Sequence, residues 1–274
     1  MNTTGIALRP SYWASVSGGK DSLYMLKLIL SNLTKYPLDG VVHFELEIDY
    51  PFIKTVIDYM QAECEKYGIR FVRLKPTKTW GELYNRYGFP TRKARWCNDK
   101  YKLTAVKQLE EFLKGQGFYL VSYIGYCADE EKRFARRVNL QKVERYPLVE
   151  EGIHETSIWN WARKQPIFNH YYETQKRCGC MYCPMSSMMN FAYLYKYYPE
   201  NFTFLIDRMR ETEKLREQEL GRPFSVRSTK PEYNADYIER SVKNKWQYTL
   251  DITERWNSLC ADADAYITIG AEHL

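Results

Sequence analysis

Residues 12–22 read Tyr12-Trp13-Ala14-Ser15-Val16-Ser17-Gly18-Gly19-Lys20-Asp21-Ser22. A short apolar run with strand character leads into two glycines, a lysine and a serine, and a helix is predicted over residues 22–30. Glycines let backbone N–H groups come close to an oxyanion, a helix start adds partial positive charge, and Lys20 adds a full one. The combination suits a phosphate group. It is not the nucleoside-triphosphate loop G-x-x-x-x-G-K-[ST], because only two glycines and a serine precede the lysine. The plain alternative is a tight strand-to-helix turn with no ligand.

On either side of this loop the chain alternates short apolar strands with amphipathic helices, the pattern of a parallel sheet covered by helices. Strands are expected at 12–16, 41–48, 69–74 and 118–125, and helices at 51–67 and 100–114. In the helix over 51–67, Phe52, Ile53, Val56, Ile57, Met60 and Cys64 recur at helical spacing, with Asp49 placed to cap the start and Gly68 to end it. Leu103, Val106, Leu109 and Leu113 share one face of the later helix. Beyond Pro147 helices dominate, at 156–164, 185–198, 201–220 and 235–256, with a loop at 221–233 around Pro223 and Pro231. The expected division is an α/β nucleotide-binding domain over residues 1–150 and a helical region over 151–274.

The whole chain has 274 residues, 45% of them hydrophobic, 27% charged and 16% aromatic with 24 tyrosines. Such values exclude collagen-like, disordered and membrane-embedded classes. No apolar run approaches the roughly 20 residues of a membrane span, and residues 1–10 lack the basic and apolar pattern of a signal peptide. A cytoplasmic protein without membrane partners is expected. Its seven cysteines then do not form a disulfide framework. The net charge of +6 fits a polyanionic partner, and a nucleotide alone would account for it.

Two further elements carry chemistry. Arg92, Lys93, Arg95, Lys100 and Lys102 surround Trp96 and Cys97. In Arg177-Cys178-Gly179-Cys180-Met181-Tyr182-Cys183-Pro184 a C-x-C overlaps a C-x-x-C, a spacing that lets sulfurs converge on one metal; a redox pair is the rival reading. Four thiolates are the usual set for an iron–sulfur cluster or structural Zn2+, and Cys97 is the best fourth. Cys64, on the apolar face of its helix, and Cys260 read as core packing or spare surface thiols, and Cys127 is left open.

Ser17 to Ser22 resembles the SGGKDS loop of the N-type ATP pyrophosphatases, the PP-loop group, which is adenine nucleotide alpha-hydrolase-like in fold. Arg95-Trp96-Cys97 with Lys100 and Lys102 resembles an R-[CW]-C-x-x-x-K element of the phosphoadenosine phosphosulfate (PAPS) reductase-like branch, and Arg177 to Pro184 its R-x-G-C-x-x-C-P. Gly125-Tyr126-Cys127-Ala128-Asp129-Glu130-Glu131-Lys132-Arg133 resembles G-x-R-x-D-E-S-x-R, and Tyr146-Pro147-Leu148 resembles Y-P-L. These elements span roughly residues 10–190 in the family's order.

The resemblance implies a Rossmann-like parallel sheet with helices on both faces and a helical C-terminal region. It implies an ATP pyrophosphatase in which Ser17, Gly18, Gly19, Lys20, Asp21 and Ser22 cradle the beta and gamma phosphates with Mg2+. Lys20 and Asp21 would serve the reaction, Arg95 and Arg133 would clamp substrate or alpha phosphate, and Gly125, Asp129 and Glu130 would belong to the nucleotide site. Asp129 and Glu130 also read as carboxylates that complement a helix start. In cluster-bearing members adjacent cysteines in the first element ligate a [4Fe-4S] cluster. Here Trp96 takes one of those places and Cys178 is extra, so the implied set is Cys97, Cys178, Cys180 and Cys183, with Zn2+ as the alternative, similar to the DNA-phosphorothioation branch.

Sulfonucleotide reductases carry a C-terminal E-C-G-[IL]-H motif and a degenerate loop without the lysine. Ile269 to Leu274 has no cysteine, and Lys20 is intact, so ATP is favoured over PAPS. The expected function is adenylation of a substrate oxygen for sulfur transfer, with DNA or RNA as acceptor and a sulfur-donor protein such as a cysteine desulfurase as partner. Two basic sets fit nucleic acid: Lys132, Arg133, Arg136, Arg137, Lys142 and Arg145, and Arg222, Arg227, Lys230, Arg240, Lys243 and Lys245 with Trp246 and Tyr248. The alternatives are a sulfonucleotide reductase and a non-enzymatic nucleotide-sensing module.

Overall fold

A computed structural model describes residues 8–131, 133, 143–175 and 177–255. Lys132, Arg136, Arg137, Lys142, Cys260 and the 269–274 stretch lie outside the described residues. The chain divides into two compact units: the residues up to Trp80 with Cys97–Phe168, and Gly81–Trp96 with the residues from Asn169 on. This division differs from one at residue 150, because residues 81–96 are held by the helices near the C-terminal end, as shown below.

The first unit is a Rossmann-like α/β layer. Among the described residues its parallel strands are β1 (Arg9–Val16), β2 (Gly40–Phe44), β3 (Phe71–Leu74), β4 (Phe118–Tyr123) and β5 (Glu144–Arg145), in the order β3-β2-β1-β4-β5. Helices α1 (Lys20–Ser31), α2 (Pro51–Lys66) and α4 (Leu103–Gly115) lie in the crossovers, and α5 (Pro147–Glu150) and α6 (Glu155–Ala162) follow β5; α3 (Trp80–Tyr87), which precedes α4 in the chain, belongs from Gly81 on to the second unit. The order reverses between β1 and β4, and in open sheets of this kind ligands bind beyond the carboxyl ends of the strands at that point.

Trp13 shows how sequence builds the sheet. Its ring packs with Val42 of β2 and with Leu109 and Leu113 of α4, and its Nε1 donates to Ser11 Oγ at 2.9 Å. A Cβ on Gly40 in the adjacent strand would lie 2.6 Å from that ring, so the indole needs a glycine across the ladder. A side chain of this size, buried, stabilises by about 1.5–3 kcal/mol or more.

Two local expectations are corrected. Asp49 does not cap α2: the cap position is Tyr50, without a side-chain bond, and Pro51 supplies the preset first helical residue. The helix expected from Lys100 begins as a π-helical turn over Cys97–Lys102 before α4 proper. Gly68, with φ of 66°, ends α2 as its position predicts.

The second unit is helical. It contains α7 (Tyr171–Thr174), α8 (Met188–Tyr197), α9 (Pro199–Leu220) and α10 (Ala235–Ser241), which runs through a π-helical turn at Val242–Trp246 into helical residues 247–255. Ser187 caps α8 by accepting from Asn190 N at 3.1 Å. Residues 81–96 are bound into this unit: Phe89 N donates to Thr212 Oγ1 at 2.8 Å, Arg92 N to Val226 O at 3.2 Å, and the Tyr84 hydroxyl to Glu211 at 2.7 Å. Glu213, buried on α9, accepts from Val226 N at 3.1 Å and Ala235 N at 2.9 Å and thereby fixes the loop between α9 and α10. Among the described residues no helix is long and apolar enough to cross a membrane.

Candidate phosphate site at the sheet switch point

The turn from β1 into α1 is a closed knot of short side chains. Ser17 N donates to Ser22 Oγ at 3.2 Å, Ser22 Oγ donates to Gly19 O at 2.9 Å, and Gly19 N approaches Ser17 Oγ at 3.4 Å. Gly18 has φ of +74°, and a Cβ there would stand 2.8 Å from Ile53 Cγ2 of α2, so only glycine fits both the backbone and the space. Gly125, just beyond β4, is also chosen by space: its Cβ would lie 3.2 Å from Asp21 O. The two strand ends flanking the switch point are thereby closed on each other, and α1 begins between them.

Lys20, the first residue of α1, is buried at 3% exposure. Its Nζ donates to Asp21 Oδ1 at 2.7 Å and to Glu155 Oε1 at 3.0 Å. Burial pulls the affinity of Lys20 for its proton down, but Asp21 and Glu155 outweigh it and the net shift is upward, so the ammonium stays charged. Burial pushes the Asp21 carboxyl up, with Lys20 opposing. Glu155 was not found by sequence reasoning: it lies 135 residues from Lys20, and no local signal marks it.

The loop after β4 gathers around the same point. Asp129 Oδ1 accepts from Glu155 N at 3.2 Å, and Ala128 N donates to Ile153 O at 2.8 Å, which ties this loop to the start of α6. Glu130 accepts from Cys127 N at 3.3 Å and from Arg133 Nη1 at 3.0 Å, and the Arg133 guanidinium lies 4.5 Å over the Tyr126 ring. Cys127 is 1% exposed, and burial, with Asp21 and Glu130 next, pushes its thiol up. Its environment therefore favours the protonated thiol at neutral pH.

Beside the loop, at the carboxyl ends of β2 and β3, a pocket of about 210 Å3 is lined by His43, Glu45, Asp49, Tyr50, Ile53 and Arg73. Ile53 joins it to Gly18. Burial holds His43 below its ordinary value and so neutral, with its Nδ1 3.0 Å from Val16 O. Burial pushes Asp49 up to about 6 against the opposing charge of Lys102.

The first unit thus brings together Ser17 to Ser22, Gly125, Asp129, Glu130 and Arg133, and it adds Glu155. Arg95 is exposed and belongs to the second unit. The four cysteines divide in the same way, Cys97 in the first unit and Cys178, Cys180 and Cys183 in the second. Among the described residues no group of three or more His, Cys, Asp and Glu side chains is preassembled for a metal. Trp96 is a core residue of the second unit: its Nε1 donates to Gly88 O at 3.0 Å.

Within the second unit the cysteine segment is irregular chain with distinct surroundings. Burial pushes the phenols of Tyr171 and Tyr193 up. Arg227, read from sequence as part of a basic face, turns inward: it donates to Ser186 O at 2.6 Å and lies 5.0 Å over the Phe191 ring. Lys243 is paired with Glu239 at 2.7 Å, and Arg145 of the other basic set is paired with Glu150 at 2.7 Å.

Residues 11–186 match the phosphoadenosine phosphosulfate reductase domain. The chain belongs to that family. It is 28% identical over 206 residues to the uncharacterized protein MJ0973 of Methanocaldococcus jannaschii, covering 70% of this chain and 46% of that one. A second uncharacterized protein of that organism, MJ0066, is 29% identical over 189 residues, covering 63% and 36%. The chain thus spans less than half the length of either relative. Among solved structures, the U34-tRNA thiolase NcsA of Methanococcus maripaludis, with its [4Fe-4S] cluster, shares 17% identity at a TM-score of 0.42, covering 77% of this chain and 74% of that one. The Candida glabrata FMN adenylyltransferase shares 16% at a TM-score of 0.39, covering 62% and 53%.

Proposed function

We propose that this member of the phosphoadenosine phosphosulfate reductase domain family is an ATP pyrophosphatase that adenylates a substrate oxygen, for sulfur transfer to nucleic acid. The observation that carries the reading is Lys20, charged, buried and first in α1, at the end of a glycine turn that admits no Cβ at Gly18. A lysine so placed would serve a ligand that carries beta and gamma phosphates. PAPS has neither.

In this reading the acceptor oxygen attacks the alpha phosphorus, the bond to the bridging alpha–beta oxygen breaks, and pyrophosphate leaves. Lys20 and the N–H groups at the head of α1 meet the charge that gathers on the departing pyrophosphate. Mg2+ would shield the same oxygens, with Asp21 among the carboxylates that would hold it. The pocket beside Ile53, with neutral His43 and the half-buried Asp49, suits the uncharged adenosine end. Arg133 and Arg95 would clamp substrate or the alpha phosphate in this reading.

Cysteine thiolates suit a soft metal centre, and the irregular chain around Cys178, Cys180 and Cys183 leaves their backbone unconstrained by a helix or strand. Those three with Cys97 would hold a [4Fe-4S] cluster, or Zn2+ as the alternative. A cluster would supply sulfur or electron relay, with a cysteine desulfurase as sulfur donor.

The test is the product of ATP with Mg2+ and mixed tRNA or DNA. AMP and pyrophosphate in equal amounts are expected, lost in Lys20→Met. ADP and phosphate would refute the reading. ATP binding without any cleavage favours a nucleotide-sensing module, and thiol-dependent sulfite release from PAPS favours a reductase.

A further inference from the structure

Lys20 already has anions. Asp21 and Glu155 both meet its Nζ, at 2.7 and 3.0 Å, and the lysine side chain is 2% exposed while the carboxylates are 27% and 24% exposed. Two carboxylates around one ammonium leave the cluster with a net charge of −1. A triphosphate approaching the loop meets that charge before it meets the cation.

The two carboxylates are not equivalent. Asp21 is the neighbour of Lys20 in sequence and shares the first turn of α1 with it. Glu155 arrives from α6 and is set in place separately, through its own N–H on Asp129 and the Ala128-to-Ile153 bond that joins the two loops. It can leave Lys20 without disturbing the serine and glycine bonds that shape the turn.

We propose that Glu155 is the resident counter-ion of Lys20, which nucleotide phosphate displaces on binding, so that Glu155 sets the affinity threshold and the metal demand of the site. The inference rests on the reading of the loop as an ATP phosphate site. With the phosphate seated, Asp21 and the released Glu155 face its oxygens, and like charges at such distances in a partly buried site must be screened by a divalent cation. The carboxylate thereby discriminates against phosphate ligands that arrive without metal, and for it Lys20 exchanges one anion for another instead of gaining one.

The experiment is calorimetric titration of ATP and of inorganic pyrophosphate into wild type, Glu155→Gln and Glu155→Asp, each with and without Mg2+. Glu155→Gln keeps the shape and removes the charge. It is expected to bind ATP at least about tenfold more tightly than wild type without Mg2+, the scale of one charge-assisted bond no longer broken, and to gain less from Mg2+. A residue that only braced the fold would give the opposite sign, weaker binding when altered. Glu155→Asp, with its shorter reach, is expected between the two, and it carries the test alone if Glu155→Gln fails to fold. Wild type that binds ATP while both variants bind equally or more weakly overturns the inference and leaves the ATP reading standing. Wild type that binds no ATP under either condition overturns both.

Discussion

Replacing Glu213 by glutamine should change how the stability of the second unit depends on pH. Glu213 is 5% exposed and burial pushes its carboxyl up to about 7 from an ordinary value of 4.5, with Glu217 and Asp236 adding and the Val226 and Ala235 N–H groups opposing. Below pH 4.5 it is protonated both folded and unfolded, and its contribution to stability is fully present. As pH rises, the unfolded chain gives up this proton first and the folded unit only near 7, so stability falls through the window from 4.5 to 7 and levels off above it. At about 1.4 kcal/mol for each tenfold change in proton affinity, the loss is roughly 3 kcal/mol. Glutamine cannot titrate, and it has one oxygen where Val226 and Ala235 each use one, so it leaves an N–H unpaired at a cost of about 1–3 kcal/mol. The wild type should therefore exceed Glu213→Gln in stability at pH 5, and that advantage should shrink by about 2.5 kcal/mol by pH 8, because about 0.8 kcal/mol of the loss has already occurred at pH 5. Urea unfolding across this range, with hydrogen-exchange protection at the Val226 and Ala235 amides as the local readout, measures it. A difference between the two proteins that stays constant from pH 5 to pH 8 would refute the reasoning.

Gly18→Ala places a methyl 2.8 Å from Ile53 at a φ of +74°; a left-handed backbone and an overpacked contact together should cost roughly 2 to 5 kcal/mol. Thermal unfolding would show it, and a cost below about 1 kcal/mol would mean that the turn relaxes freely. Anaerobically purified wild type should carry about four irons with absorption near 400 nm, reduced in Cys97→Ala and Cys180→Ala; one zinc, or metal unchanged in both variants, would remove the cluster from the proposal.

The α/β alternation and the Ser17 to Ser22 loop were legible because both are local: strand, turn and helix signals fall within a few residues, and the glycines at 18 and 125 are demanded by backbone and space. Glu155 was not legible, because an ion pair across 135 residues leaves no mark on either neighbourhood. The π-helical start at Cys97 also escaped, since an i to i+5 pattern has no residue signature distinct from an ordinary helix. Arg227 was misread for the reason that charge in a sequence says nothing of direction: its guanidinium is spent on Ser186 and Phe191 inside the unit. Asp49 had the right residue type one position too early, and Pro51 made a cap unnecessary.

Residues 81–96 reach the ribosome's exit long before the helices that receive them. Thr212, which accepts the Phe89 amide, follows it by 123 residues, an interval of roughly 6 to 25 s at ordinary elongation rates of about 5–20 residues per second. During that interval Phe89, a core residue of the finished second unit, still awaits the hydroxyl that accepts its amide proton. Residues 81–96 of a nascent chain therefore lack their hydrogen bonds to Glu211, Thr212 and Val226 until α9 and the loop after it have been made.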